Sequence, residues 1–106
     1  MTTAVGEKIR KLRKERGYTL DQLAELTGSS KSYIWEIENK APPRPSADKL
    51  SKIANALDVT IEYLMDDSGA IDQEDAADAA FFRKYKQLSE GDRARLRKMI
   101  DLWDDD

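Results

Sequence analysis

Residues 29–40, SSKSYIWEIENK, carry side chains suited to hydrogen bonding and aromatic contact rather than to covalent chemistry. At about 100° per residue, Ile34 and Ile37 define one apolar side of a predicted helix. The opposite side carries Lys31, Ser32, Trp35, Glu36 and Asn39. A tryptophan on the predicted solvent side has two explanations. Either the helical periodicity places a core residue on the wrong side, or the tryptophan contacts another molecule.

The sequence lacks the residues on which most enzymes and metal sites depend. Its 106 residues include no cysteine and no histidine, which excludes thiol nucleophiles, Ser-His-Asp triads and the usual zinc sites. The carboxylates and lysines fall on exposed helix faces without an implied pocket, so we expect no enzymatic activity, no metal and no other cofactor. The sequence contains neither a signal-peptide pattern nor an apolar run long enough for a membrane span, so we expect a cytoplasmic protein without a membrane partner.

The net charge of −3 conceals an uneven distribution of charged residues. Residues 1–65 contain 11 basic and 9 acidic residues, whereas residues 66–106 contain 7 and 12. The N-terminal part is therefore slightly basic, and a negative average does not argue against a nucleic-acid partner.

Polar caps and apolar faces predict five helices in residues 1–66 and no strand. Gly17 ends the first helix, Thr19 and Gln22 form a capping box for the second, and Gly28 ends the second. The remaining N-caps are Ser29 or Ser30 for the third helix, Ser46 for the fourth and Thr60 for the fifth. The predicted apolar faces of the second, fourth and fifth helices are Leu20, Leu23, Ala24 and Leu26; Leu50, Ile53, Ala54 and Leu57; and Ile61, Leu64 and Met65.

Residues 67–73 are acidic and small, and predict a linker before a second helical region at 74–106. Ser89 and Asp92 form a capping box between two apolar stripes, which predicts an antiparallel helical hairpin. The stripes consist of Phe81, Phe82, Tyr85 and Leu88, and of Leu96, Met99, Ile100 and Trp103. Two short helices are rarely stable alone, so the hairpin is expected to pack either on the first domain or on a second copy.

Residues 9–65 resemble the Xre/Cro-type, lambda-repressor-like helix-turn-helix family of DNA-binding domains. The resemblance rests on IRKLRKERGYTLDQLAELTGSSKSYIWEIEN and KLSKIANALDVTIEYLM. The architecture is more closely similar to SinR-type repressors, through SKSYI, KERGYTL and the terminal hairpin. The resemblance implies an all-α fold: a five-helix DNA-binding domain at 1–66, followed by the hairpin.

The resemblance also implies an ion pair between the first and third helices. The family pairs an arginine with the glutamate that closes the third helix, and the matching residues here are Arg13 and Glu38. The alternative is that both are exposed surface charges.

The base-reading positions of the family fall on Lys31, Ser32 and Glu36. Lysine donates to guanine O6 and N7, serine bonds in either sense, and glutamate accepts from cytosine N4. The alternative for Glu36 is a solvated helix charge. Trp35 lies beside these residues, where its ring can contact a thymine methyl group or a deoxyribose, or its N–H a phosphate. Its alternatives are contact with basic stems of the first helix or with a protein partner.

Five further residues are expected to contact DNA phosphates. They are Thr19, Gln22, Tyr33, Asn39 and Arg44. For Thr19 a plain N-cap is the simpler reading, and both roles can hold together. Lys40 stands where the family usually has glycine, so Asn39 or Lys40 is expected in a left-handed conformation.

The sequence therefore predicts a transcriptional repressor that binds an inverted repeat of double-stranded DNA as a homodimer. Dimers of such domains contact two half-sites about one helical turn apart, and the apolar hairpin is the expected means of pairing. The alternative is an antitoxin or partner-controlled switch, in which the hairpin binds a regulatory protein and DNA binding is autoregulatory.

Overall fold

The computed structural model describes residues 4–40 and 45–103, and within these residues it contains seven helices and no strand. The helices are α1 (Ala4–Glu15), α2 (Leu20–Thr27), α3 (Lys31–Asn39), α4 (Ala47–Ala56), α5 (Ile61–Met65), α6 (Gln73–Gln87) and α7 (Glu90–Trp103). The predicted all-α fold, with five helices followed by two, is confirmed.

The helices α2 to α5 and α7 begin at the predicted caps, because short polar side chains satisfy the first free backbone N–H groups. No cap was predicted for α6, where Asp72 takes this role. Thr19 and Gln22 form the reciprocal capping box at the start of α2. Ser30 rather than Ser29 caps α3 by accepting from the N–H of Tyr33. Ser46, Thr60 and Ser89 accept in the same way at α4, α5 and α7.

The core lies between the apolar faces of the first five helices. Its fully buried side chains include Ile9, Leu23, Ile34, Ile53, Leu57 and Leu64. One residue of α6, Ala76, joins this core, and Ile71 in the preceding connection packs against it. The first five helices therefore form one hydrophobic unit, and the start of α6 is part of it.

Two residues predicted on apolar faces are exposed instead. Leu26 is 56% exposed and Met65 at the end of α5 is 39% exposed. In α2 the core position belongs to Thr27, which is 1% exposed. Its hydroxyl donates to the carbonyl oxygens of Leu23 and Ala24, so its burial leaves no polar group unsatisfied. The prediction for Leu26 was wrong because it assumed that an apolar residue would take this position.

Residues 66–72 connect α5 to α6 through a turn organised by one carboxylate. Asp66 accepts hydrogen bonds from the backbone N–H groups of Ser68 and Ile71, at 3.1 and 3.0 Å. From α1, Lys8 donates to the carbonyl oxygens of Tyr63, at 2.8 Å, and of Asp66. The acidic segment predicted as a linker thus has hydrogen bonds that define its path.

The two C-terminal helices differ in how they meet the rest of the chain. In α6, Ala76 and Ala80 are buried, whereas none of the described residues of α7 is buried. The helices contact each other through Tyr85 and Arg97, whose Nε lies 2.6 Å from the tyrosine hydroxyl. The apolar side chains of the two stripes are therefore largely left in solvent.

The turn at Asp66 should lose its order only in strong acid. Hydrogen bonds from the Ser68 hydroxyl and then from the Ile71 N–H lower the pKa of Asp66 from 3.8 to about 2. The stabilisation is therefore fully present above the ordinary pKa, and is lost as the pH falls through about 2. An NMR titration of the Ile71 amide should show a midpoint near that value. A midpoint near 3.8 would contradict the assignment, and Asp66→Asn should abolish the transition.

Candidate nucleic-acid interface

The turn between α2 and α3 consists of residues 28–30 and depends on one left-handed glycine. Gly28 has φ 65°, and its N–H reaches the carbonyl oxygens of Ala24 and Glu25. Ser29 N–H donates to Ala24 at 2.8 Å, which closes the turn. Only glycine adopts this conformation without strain, so the chain reverses tightly and α3 starts at once.

A buried ion pair fixes α3 against α1. Arg13 Nε lies 2.7 Å from Glu38 Oε2, and Nη2 lies 3.0 Å from Oε1. The third nitrogen, Nη1, donates to the carbonyl oxygen of Tyr18 at 2.9 Å. Glu38 is 1% exposed. A bidentate pair of this geometry holds one helix orientation, with Ile34 and Ile37 buried beside it.

Lys49 of α4 contacts the α2–α3 turn, a role that the sequence did not reveal. Its Nζ lies 3.0 Å from the Ser29 hydroxyl and 3.3 Å from the Gly28 carbonyl oxygen. It also lies 5.6 Å from the centre of the Tyr33 ring. The sequence shows only a lysine three residues after the Ser46 cap. Its neighbours in sequence do not indicate that it contacts a turn about twenty residues earlier.

The outer face of α3 is formed by Lys31, Ser32, Trp35 and Glu36, which are all exposed and line one shallow depression. Lys31 Nζ lies 3.8 Å from Asp21 Oδ2, with both side chains more than half exposed. Such a pair is weak in water, so the ammonium remains available to another acceptor. The structure therefore brings the four residues predicted to read bases onto one solvent-facing surface.

Trp35 belongs to this outer face and not to the core, since 44% of it is exposed. The ammonium of Lys40 lies 5.5 Å from the centre of its ring. The described cation–π partner thus comes from the end of the same helix, whereas the sequence had suggested basic stems of α1. The Trp35 ring lines the same shallow depression as Lys31 and Glu36.

The residues predicted to contact phosphate surround this face to different extents. Thr19 and Gln22 are exposed, and the capping box occupies the threonine hydroxyl and the glutamine Oε1. Tyr33 is half-buried against the core, and Asn39 Nδ2 donates to the Trp35 carbonyl oxygen at 2.9 Å. Arg44 lies outside the described residues.

The conformation expected at the end of α3 was wrong. Asn39 is the last helical residue, and Lys40 is extended with φ −123° and ψ 177°. The chain leaves the helix directly into extended backbone, which any residue adopts, so no left-handed residue is needed. Among the described residues other than glycine, Asp58 has a positive φ, of 55°.

The C-terminal helices present a second surface, which we call the apolar tail surface. It consists of Phe81, Phe82, Tyr85, Leu88, Leu96, Met99, Ile100 and Trp103, together with Leu102, which the sequence analysis did not include. Phe81 and Phe82 are each 57% exposed, and Trp103 is 78% exposed. At 3.6 residues per turn, Tyr85 lies on the side of α6 opposite Ala76 and Ala80. α6 therefore packs on the first domain through one face and leaves its aromatic face free.

Within residues 4–40 and 45–103, no group of acidic side chains is arranged to hold a metal ion. No helix there is both long and apolar enough to cross a membrane.

The sequence profile of the helix-turn-helix family matches residues 9–64, which include more than half of the chain and reach from α1 into α5. The chain belongs to the helix-turn-helix family. The outer face of α3 lies within the matched residues, whereas the apolar tail surface lies beyond them.

Curated relatives of this helix-turn-helix protein are transcriptional regulators. It is 41% identical over 63 residues to the regulator SinR of Bacillus subtilis, an alignment of 59% of this chain and 57% of SinR. It is 35% identical over 94 residues to the transcriptional repressor RghR of the same organism, covering 89% of this chain and 70% of RghR. The chain thus spans little more than half the length of SinR.

Two solved structures of SinR resemble the fold. SinR in complex with DNA shares 42% identity and a TM-score of 0.56, over 58% of this chain and 98% of that one. A complex of SinR with the SinI protein shares 31% identity and a TM-score of 0.57, over 94% of both chains. The second match is long enough to include the C-terminal helices.

Removing one partner of the buried pair should cost far more stability than removing one partner of an exposed pair. Glu38→Ala leaves the Arg13 charge buried without a partner, which should lower the free energy of unfolding by about 3–5 kcal/mol. Asp48→Ala, which removes the exposed pair with Lys52 at 3.2 Å, is the matched control. It should cost less than about 1 kcal/mol. Urea denaturation measures both, and similar losses would show that Glu38 is not a structural partner of Arg13.

Proposed function

We propose that the protein is a sequence-specific DNA-binding transcriptional regulator, and that it acts as a repressor in the cytoplasm. The observation that carries this proposal is the outer face of α3, where four side chains able to contact bases lie exposed on a helix locked to α1 and α4. The likeness to the DNA complex of SinR supports it. The proposal assigns the protein no enzymatic activity.

Three residues of the outer face would read base edges in the major groove. Lys31 donates to guanine, and its weak pairing with Asp21 is readily exchanged for O6 and N7. Ser32 bonds in either sense. Glu36 accepts from the N4 amino group of cytosine and is repelled by phosphate, so it selects against other bases as well as for cytosine.

Trp35 would contact the DNA through the exposed part of its ring. Its position between Lys31 and Asn39, with 44% of its surface free, suits contact with a thymine methyl group or a deoxyribose. Lys40 beside the ring adds a positive charge close to the phosphates. Trp35 thus contributes apolar contact next to residues that contribute hydrogen bonds.

The phosphate contacts would come from the edges of the same surface. Gln22 uses Oε1 in the capping box, so its amide nitrogen remains a donor at the start of α2. Thr19, Tyr33, Asn39 and Arg44 complete the proposed set. These contacts position the domain without reading sequence, so binding should weaken steeply with salt.

Dimerisation through the apolar tail surface would double the number of contacts. A group of exposed apolar side chains that includes two phenylalanines and a tryptophan is typical of an interface, and the opposite face of α6 is already used within the chain. A twofold dimer would place two α3 helices on an inverted repeat, with half-sites about 34–36 Å apart.

A second candidate is a partner-controlled switch or antitoxin, in which another protein binds the tail. The solved complex of SinR with SinI, which matches 94% of this chain, favours it. Both candidates use α3 for DNA and differ in what covers the apolar tail surface. The stoichiometry of the purified chain distinguishes them.

Lys31→Ala should lower the affinity for the preferred site by about 1–3 kcal/mol and remove the preference at one base position. The reason is the loss of a donor that only guanine satisfies fully. Selection from random duplexes followed by titration at one salt concentration measures both effects. Lys52→Ala, an equally charged change on α4, is the control and should leave the base preference unchanged. Retention of every base preference by Lys31→Ala would refute the assignment.

The double variant Phe81→Asp, Ile100→Asp should convert a dimer into a monomer. Two carboxylates inserted into a buried apolar interface lose their water without gaining a partner. Sedimentation should then give half the mass of the unchanged chain. Leu26→Asp, which places a carboxylate at an equally exposed leucine on α2, should leave the mass unaltered. A monomeric unchanged chain would favour the second candidate.

A further inference from the structure

Small residues lie on the face of α6 that is buried against the helix-turn-helix domain. Ala76 is 2% exposed and Ala80 is 7% exposed. Ile71, just before the helix, packs against the same core. Alanines let the helix approach, yet they supply little apolar area, so other interactions must determine its direction.

Charged groups surround the alanines and come from separate parts of the chain. Asp58 lies between two parts of the chain: its Oδ2 is 2.6 Å from Nη1 of Arg16, the residue that follows α1, and its Oδ1 accepts from Lys84 of α6. Glu62 of α5 lies 3.4 Å from the guanidinium of Arg83. Two carboxylates of the first domain therefore engage two neighbouring cations of α6. Each pair is partly exposed and weak alone, so the direction of α6 depends on both pairs acting together with the buried alanines.

The backbone holds the Asp58 carboxylate in place. Asp58 has φ 55°, the left-handed region that aspartate and asparagine tolerate better than most residues. Its N–H donates to Asn55 at 3.3 Å, and the next N–H, of Val59, donates to Ala54 at 3.0 Å. The turn between α4 and α5 thus presents this side chain from a hydrogen-bonded frame.

The Glu62 carboxylate is also stabilised in its charged form. Its own backbone N–H at the start of α5, and then Arg83, lower its pKa. The Glu62 carboxylate is therefore ionised at neutral pH. At the other end of the contact, Gln73 Nε2 donates to Glu15 Oε2 of α1 at 2.8 Å.

We infer that Asp58 and Glu62 are positioning residues for operator recognition: they fix the direction of α6 and so set which spacing of half-sites the dimer accepts. This inference rests on the proposed function. The α6 part of the apolar tail surface lies on the side of α6 opposite Ala76 and Ala80, so in the proposed dimer the angle of α6 determines where the second α3 lies. A rigid connection favours one spacing, whereas a loose one accepts several.

The test compares operators whose half-sites differ only in the length of the segment between them. The unchanged chain should bind its best spacing about tenfold more tightly than a spacing two base pairs longer. In the double variant Asp58→Asn, Glu62→Gln the ratio should fall to about threefold or less, with affinity for a single half-site unchanged. Asparagine keeps the left-handed backbone, and thermal unfolding by circular dichroism checks that the fold persists.

The control is Asp48→Asn, Asp92→Asn, which changes the net charge equally. It removes two exposed pairs, with Lys52 and Arg95, each confined to one helix. Its spacing preference should equal that of the unchanged chain. An undiminished preference in Asp58→Asn, Glu62→Gln would overturn the inference.

A distance measurement tests the same inference without DNA. The sequence has no cysteine, so Glu25→Cys on α2 and Lys86→Cys near the end of α6 can carry two spin labels. With labelled chains diluted in unlabelled ones, pulsed electron resonance should give one narrow distance distribution that broadens in Asp58→Asn, Glu62→Gln. A broad distribution in the parent, or none of this broadening, would overturn the inference. A narrow distribution without DNA binding would instead contradict the proposed function.

Discussion

The orientation of α3 depends on one buried ion pair. Arg13 and Glu38 join the last turn of α1 to the end of α3, and the same guanidinium fixes the loop after α1 through Tyr18. Removing two charges from water costs about as much free energy as their attraction returns, so the pair adds little net stability to the fold. Its bidentate geometry, however, is compatible with only one orientation of the two helices. The exposed side of α3 is defined by this constraint, because the buried side cannot rotate while the pair is intact.

Local features of the sequence were sufficient to predict most of the fold. N-caps, glycines and apolar periods depend on neighbours within about one turn, so Thr19, Ser46 and Gly28 could be assigned without knowledge of the tertiary structure. The error at Leu26 shows the limit of this approach. The Thr27 hydroxyl donates to a carbonyl oxygen of its own helix, so threonine can be buried without an unpaired polar group. Hydrophobicity alone would place Leu26 in the core instead.

Local features could not predict contacts between distant parts of the chain, and the Arg13–Glu38 pair was expected only from the family resemblance. Lys49 reaches the α2–α3 turn, and Asp58 joins Arg16, just after α1, to Lys84 of α6. The sequence neighbours of these side chains give no indication of a partner. The tail illustrates the same point. From the sequence, the C-terminal helices were expected either to pack on the first domain or to pair with a second copy. The aromatic stripe of α6 was recognised, but its opposite face of small residues was not. Ala76 and Ala80 make the two roles compatible.

Because α6 contacts the first domain through one side only, a small change in its angle displaces its far end. The 15 residues of α6 extend about 22 Å at 1.5 Å per residue. A tilt of about 10° would therefore move its far end by about 4 Å, more than the rise of about 3.4 Å between successive base pairs. In the proposed dimer, a molecule that binds the aromatic side would thus shift one copy along the operator by about one base pair, without altering any residue proposed to contact DNA.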